Sequence, residues 1–199
     1  MGYGRLGRDR RYPVFHVLKR GAFMQYTMKS GILFRNNPPN AAAQLRSMFI
    51  GPIKQIYSSS GELLLETDIR YLDADLPYTG NVRNKKYTLT DREGKVIASA
   101  FPQYAEGDDP EWVGWPICRM PRVDRAKLLL HGAEHILIMH NSQNYTMKDI
   151  HDADVLRIMH RGLIGGWLLE DRCGFTPEIL CGLFTFCRYI EMENEFIIV

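Results

Sequence analysis

His131-Gly132-Ala133-Glu134-His135 matches H-x-x-E-H, a pattern of zinc-dependent hydrolases. On a helix, His131 and His135 would share one face and bind Zn²⁺, with Glu134 as general base. The flanking residues argue against a helix. Leu128-Leu129-Leu130 before the motif and Ile136-Leu137-Ile138-Met139 after it are β-type runs, and Gly132 suits a turn between them. In a hairpin the two imidazoles sit across a turn and lose helical spacing, and spacing identifies no third ligand. The expectation is an exposed hairpin tip, with no metal, no cofactor and no catalytic residue. A zinc-dependent hydrolase built on His131, Glu134 and His135 is the alternative.

Other chemistry-bearing residues are scattered. His140, His151 and His160 surround the next hairpin and read as partly exposed strand residues. Cys118, Cys173, Cys181 and Cys187 form no C-x-x-C pair, and the last two lie in an apolar segment where a thiol behaves as a small hydrophobe. They read as reduced cysteines of a cytoplasmic protein. Ser58-Ser59-Ser60 is a turn cluster, there is no G-x-S-x-G, and Gly165-Gly166 reads as a bulge or close packing within a strand. The most distinctive loop is Phe101–Arg125, with Pro102, Pro110, Pro116, Pro121, Trp112 and Trp115, and with Arg119, Arg122 and Arg125 at one end. Long irregular stretches in compact domains are uncommon and often functional. Trp112 and Trp115 read either as a surface anchor or as pins holding a long connection to the body.

Charge adds a second clue. The 25 basic and 23 acidic residues give a net +2. Residues 1–20 carry Arg5, Arg8, Arg10, Arg11, Lys19 and Arg20 against Asp9, a local +5, so the remainder sums to −3. Residues 1–11 read as a mobile arm, either simply solvated or drawn to an anionic surface through Arg8, Arg10 and Arg11. Nucleic acid is disfavoured, because aromatic interleaving is limited to Tyr3. A hydrophobic fraction of 45% excludes disorder. The apolar run Pro13–Leu18 is short and lacks a cleavage site, so no signal peptide is expected, and no stretch reaches the ~18 apolar residues of a membrane span. Leu6 stands where a myristoylation signal wants Ser or Thr.

These groups need a frame. About eleven short runs with β-type alternation lie between residues 22 and 170, most bounded by Gly, Pro, Asn or Asp. Three share a strand, tight polar turn, strand pattern: Tyr87–Asp91 into Lys95–Ala98, Tyr145–Asp149 into Asp154–Ile158, and Gln55–Ser58 into Glu62–Leu65. Asp91 can bond the turn backbone, and Gly94 or Gly61 can supply positive φ. A repeated hairpin fits a meander that closes into a barrel. Ala41–Met48 reads instead as a short helix capped by Asn40, and Leu163–Glu170 as a strand.

The C-terminal segment is different. Thr176-Pro177-Glu178 starts a helix at about 177–192. Nine of the twelve residues from Ile179 to Ile190 are apolar, including Ile179, Leu180, Leu183, Phe184, Phe186, Cys187 and Ile190. Gly182, Thr185 and Arg188 leave only a narrow stripe, so protein should surround this helix. Glu191, Glu193 and Glu195 should mark its emergence into solvent. Phe196–Val199 reads as a last strand.

The fold expected is mainly β: a closed antiparallel barrel of about twelve strands around a buried hydrophobic C-terminal helix, in one domain over 21–199 behind the arm of 1–20. This combination resembles the tubby C-terminal-like fold shared by tubby-like proteins, phospholipid scramblases and LURP-one-related proteins. The residues that carry it are Tyr145–Asp149, Asp154–His160, Gly166–Glu170 and the helix Pro177–Ile190. They are patterns of hydrophobicity, not chemical signatures. The tubby proteins' phosphoinositide-binding residues cannot be matched here, and Asp152-Ala153-Asp154 is only a faint echo of the scramblases' calcium segment. The resemblance implies a non-catalytic binding or regulatory module, cytoplasmic and peripheral at membranes, contacting anionic lipid headgroups or a protein partner. Arg8, Arg10, Arg11, Trp112, Trp115, Arg119 and Arg122 are its expected contacts. A structural protein, dimeric through a strand edge or the Trp loop, is a further alternative.

Overall fold

The computed structural model describes residues 23–48, 52–73, 82–108 and 121–194. Twelve strands follow one another: β1 (Met24–Lys29), β2 (Ile32–Asn36), β3 (Pro39–Ser47), β4 (Lys54–Ser58), β5 (Leu63–Tyr71), β6 (Lys85–Asp91), β7 (Val96–Tyr104), β8 (Val123–Leu130), β9 (Ala133–Asn141), β10 (Asn144–Asp149), β11 (Asp154–His160) and β12 (Trp167–Asp171). A single helical turn, α1 (Gly162–Gly165), precedes β12, and the helix α2 (Pro177–Met192) follows it. Each strand pairs antiparallel with its neighbours in sequence, and β1 pairs with β12 from Met24↔Asp171 to Met28↔Trp167. The sheet is therefore a closed barrel, as expected.

Among the described strands closure leaves no open edge, so none of them offers the edge that a strand-edge dimer would use.

Alternation along the strands fills the lumen. Tyr26 and Met28, Tyr87 and Leu89, Leu128 and Leu130, and Tyr145 and Met147 all point inward and are buried. The helix α2 occupies the space they surround. It touches β3, β4, β5, β6, β8 and β9, walls on different sides of the ring. Every residue from Ile179 to Ile190 except Arg188 is buried, Ile179, Leu180, Leu183, Phe184, Phe186, Cys187 and Ile190 among them. Gly182 and Thr185 of the narrow stripe are buried as well. Gly182 lies where the helix comes closest to β6: a Cβ there would stand 2.7 Å from a Leu89 methyl. The Thr185 hydroxyl donates to the Cys181 carbonyl at 2.9 Å, so its burial leaves no donor unmet. Ala43, Ala98, Ala100 and Ala126 are fully or almost fully buried, and small wall residues leave room for the helix's aromatic rings.

The three repeated hairpins form β4–β5, β6–β7 and β10–β11. Asp91 Oδ1 accepts the amides of Glu93 and Lys95, Asp149 Oδ1 accepts those of His151 and Ala153, and Ser58 Oγ accepts that of Glu62. Gly94 takes φ +78 in its turn.

Two assignments made from sequence are corrected. Ala41–Met48 is not a helix, because Ala41 to Ser47 belong to β3. That strand pairs with β2 on one side and β4 on the other, and two ladders outweigh the alanines' modest helix preference. Leu163–Glu170 is not one strand: residues 162–165 form α1, and pairing with β1 and β11 starts only at Trp167. The irregular stretch assigned to Phe101–Arg125 also shortens, since β7 runs to Tyr104 and β8 starts at Val123.

Candidate functional site

The barrel has two mouths. The chain enters α2 at one, together with the tight turns after β4, β6, β8 and β10. The helix ends at the other, where β3, β5, β7 and β11 also end and α1 lies.

At the entry mouth, His131 and Gly132 form the turn between β8 and β9, with φ of +49 and +84. Leu130 pairs with Ala133, Leu129 with Glu134 and Leu128 with His135. The H-x-x-E-H pattern is thus a hairpin. Neighbouring strand residues point to opposite faces, so Glu134 turns away from His135 and reaches Lys127 Nζ at 3.3 Å. His131 and His135 line a mainly apolar cleft of about 270 Å³ with Cys173, Arg172 and Phe175. Burial lowers the pKa of both imidazoles, aided at His131 by Lys95. Among the described residues no group of three or more His, Cys, Asp or Glu side chains could hold a metal ion. Of the other histidines, His140 shares a hydrogen bond with Thr146 Oγ1, His160 packs on Trp167, and His151 is exposed.

The thiols here are unsuited to nucleophilic attack. Burial pushes the Cys173 thiol up, and the charges of Asp171 and Asp149 push it further. Cys181 and Cys187 are fully buried in α2, and burial raises both well above the usual thiol range. Asp171 organises the link from β12 to α2: its Oδ1 accepts the amides of Cys173 at 2.8 Å and Gly174 at 3.1 Å. Its Oδ2 is buried without a hydrogen bond among the described residues. Burial raises the carboxyl to about 6 against the pull of the backbone amides.

At the exit mouth, α2 ends in a polar latch. Glu193 accepts Lys85 Nζ at 2.6 Å and the Tyr87 hydroxyl at 3.3 Å. Glu191 accepts the Tyr145 hydroxyl at 3.1 Å and pairs with Arg188. Asn194 holds β8, accepting the Val123 amide at 2.9 Å and donating to its carbonyl at 2.8 Å. The Tyr189 hydroxyl donates to the Pro52 carbonyl at 2.6 Å and shares a hydrogen bond with Thr67. Glu191 and Glu193 therefore turn back onto the wall and do not lead the helix into solvent. Tyrosines paired with carboxylates and a lysine look catalytic, but each donor is engaged in holding the helix. Burial raises the pKa of Tyr87, Tyr145 and Tyr189, which stay protonated phenols.

Beside this latch lies a cleft of about 380 Å³. Trp167, Phe184 and Leu45 contribute its apolar surface, and Lys29 and Lys54 its charge; among the described residues no acidic side chain lines it. Lys54 Nζ donates to Ser47 Oγ at 3.0 Å. Leu163 and Ile164 of α1 complete the cleft and stand 104% and 83% exposed. Two features hold this turn. The Arg161 amide donates to the Gly166 carbonyl at 2.8 Å. Gly166 has φ +67 and lies so near β1 that a Cβ would meet the Met28 carbonyl oxygen at 2.5 Å. Close packing at Gly166 is what the glycine pair indicated, although in a turn and not within a strand.

Of the contacts expected from sequence, Arg122 alone falls within the described residues. Its amide donates to Asp108 Oδ2 at 3.1 Å and its guanidinium, largely exposed, lies 3.8 Å from Asp124. Arg8, Arg10, Arg11, Trp112, Trp115 and Arg119, like Phe196–Val199, lie outside the described residues. Sequence reasoning missed Lys29, Lys54, Leu163 and Ile164. The signal was an apolar pair bracketed by Gly162 and Gly165-Gly166. No helix among the described residues is long and apolar enough to cross a membrane. No protein-family model matches the chain, and no curated protein matches it.

Proposed function

We propose that this chain is a non-catalytic binding or regulatory module of tubby-like type, cytoplasmic and peripheral at membranes, whose partner is an anionic lipid surface. The observation that carries the reading is the burial of α2 on nearly its whole circumference. A barrel that holds its own helix gives its lumen to no substrate, so recognition falls to the mouths and the outer wall. The phenols and thiols near the helix are held protonated, which suits structure and not nucleophilic chemistry. The plan of strands and enclosed helix is the one the tubby-like resemblance implies. The +5 of residues 1–20 against −3 elsewhere favours an anionic surface over a neutral one.

Sedimentation with vesicles tests this. The protein should pellet with phosphatidylserine-containing vesicles at low ionic strength and remain in solution with phosphatidylcholine alone. Raising salt toward 1 M, where the Debye length falls to about 3 Å, should release it. Failure to pellet with anionic vesicles at low salt overturns the reading.

A further inference from the structure

We propose that the exit mouth is the membrane-docking face, with Leu163 and Ile164 entering the boundary between headgroups and acyl chains while Lys29 and Lys54 hold lipid phosphates. The inference rests on the lipid-surface reading above and names the part of the molecule that performs it.

Exposure gives the first reason. Leu163 and Ile164 are the most exposed large apolar residues described, and they sit together on a one-turn projection. Scattered single apolar residues on a surface need no explanation, but an adjacent, protruding pair does. Ile150, next in exposure at 73%, stands in a polar turn at the opposite mouth, between Asp149 and His151.

Distribution gives the second. Met48, Tyr71, Leu72 and Met192 are also exposed at or just past the ends of elements at the mouth of α1, making six with the pair, against Phe23, Val96, Leu129 and Ile150 at the opposite mouth. Met48 follows β3, Tyr71 and Leu72 close β5, and Met192 ends the helix in the middle of the ring. Apolar side chains spread around one rim of a barrel fit a flat, deformable partner, whereas a protein partner would need several separate pockets.

Charge gives the third. Lys29 and Lys54 line the same cleft as the apolar pair, with no acid among its described lining residues. The carboxylates of the helix end add no unmatched charge, since Glu193 pairs with Lys85 and Glu191 with Arg188. Apolar side chains beside long lysines, whose ammonium heads can reach up from an apolar level to the phosphates, suit the boundary of a bilayer. The Gly166 contact with β1 fixes the turn relative to the wall, so insertion needs no prior ordering of α1.

The test uses the full chain and vesicles of phosphatidylcholine with or without phosphatidylserine. L163S/I164S should weaken binding to anionic vesicles by roughly tenfold or more, from lost apolar burial. K29A/K54A should weaken it by about fivefold per lysine and flatten the salt dependence. In L163W the added tryptophan should be quenched by lipids brominated on their acyl chains, beyond any quenching of the wild-type protein. Circular dichroism melts matching wild type show that the variants are folded. If wild type fails to bind anionic vesicles, the lipid-surface reading falls and this inference with it. If wild type binds and L163S/I164S binds equally well, only the assignment of this face is overturned. Unquenched emission from L163W in bound protein overturns it too, and would point to a protein partner for the same side chains.

Discussion

The two mouths of the barrel solve the same problem with different means. Each must end a set of strands and seal one end of an apolar helix. At the entry mouth the turns are short and organised by their own side chains: Asp91, Asp149 and Ser58 bond the backbone within their loops. Thr176, which opens the helix, makes no side-chain cap bond. At the exit mouth the seal is tertiary. Glu191, Glu193 and Asn194 reach from the helix end to β6, β8 and β10, tying residues 46 to 108 positions apart. Local chemistry finishes one end, and long-range chemistry the other. The exposed apolar pair and the lysine cleft lie at the second.

Glycine substitutions should separate the mouths most sharply. Gly166→Ala at the exit mouth meets both a positive φ and a backbone oxygen at 2.5 Å, so we expect a loss of about 3–4 kcal/mol. Gly94→Ala at the entry mouth has positive φ but nothing within 4 Å, so the expected loss is about 1 kcal/mol. Urea denaturation of both variants measures the difference, and equal losses would remove the distinction.

The latch comes next. Glu193→Ala leaves Lys85 and the Tyr87 hydroxyl without their partner in a largely buried place, and should cost about 3 kcal/mol. Glu193→Gln should cost less, because the amide oxygen can still accept one of the two bonds. A stability loss below about 1 kcal/mol for Glu193→Ala would mean that packing alone holds the helix end.

Asp171 gives the entry mouth a pH dependence of its own. Its carboxyl is raised from the usual 3.8 to about 6, so protonation favours the folded state. Its contribution is complete below about pH 4 and is lost as pH rises through 6, a change of roughly 2–3 kcal/mol at most. Asp149, depressed by the amides of its turn, has the opposite sign and loses its contribution as pH falls below about 4. Thermal melts between pH 4 and 7 should show a falling contribution in wild type that Asp171→Asn removes. An unchanged slope in that variant would assign the dependence to other groups.

The smallest effect expected is at the helix start. Thr176→Ala should change stability by less than about 0.5 kcal/mol, because no cap bond is lost. A calorimetric loss near 1 kcal/mol or more would show that the entry mouth depends on this side chain after all.

What was legible in the sequence follows the same division. Alternation and turn chemistry are local, and they marked the hairpins around Asp91, Asp149 and Ser58. The greasy segment Ile179–Ile190 announced its own burial, because its apolar residues leave no wide polar face. H-x-x-E-H was rightly weighed against its β-type flanks. The failures lay where distant partners decide. Ala41–Met48 has helix-forming residues but has a strand on each side. The acids at 191 and 193 read as solvent-facing, and only the folded chain brings Lys85, Tyr87 and Tyr145 to them. Leu163 and Ile164 joined a strand pattern although glycines bracket them, because their apolar character matches a strand and only pairing with β1 and β11 shows that β12 begins at Trp167.

By itself, then, the sequence determined the hydrophobic periods, the turns and the helix that must be enclosed, since each depends on residues only a few positions apart. The tertiary structure decided the closure of β1 on β12, the pairing of the partly buried Glu191 and Glu193 with the wall and the gathering of Lys29 and Lys54 into one cleft with Leu163 and Ile164. These are juxtapositions of residues far apart in the chain, where pairing and burial outweigh local preference.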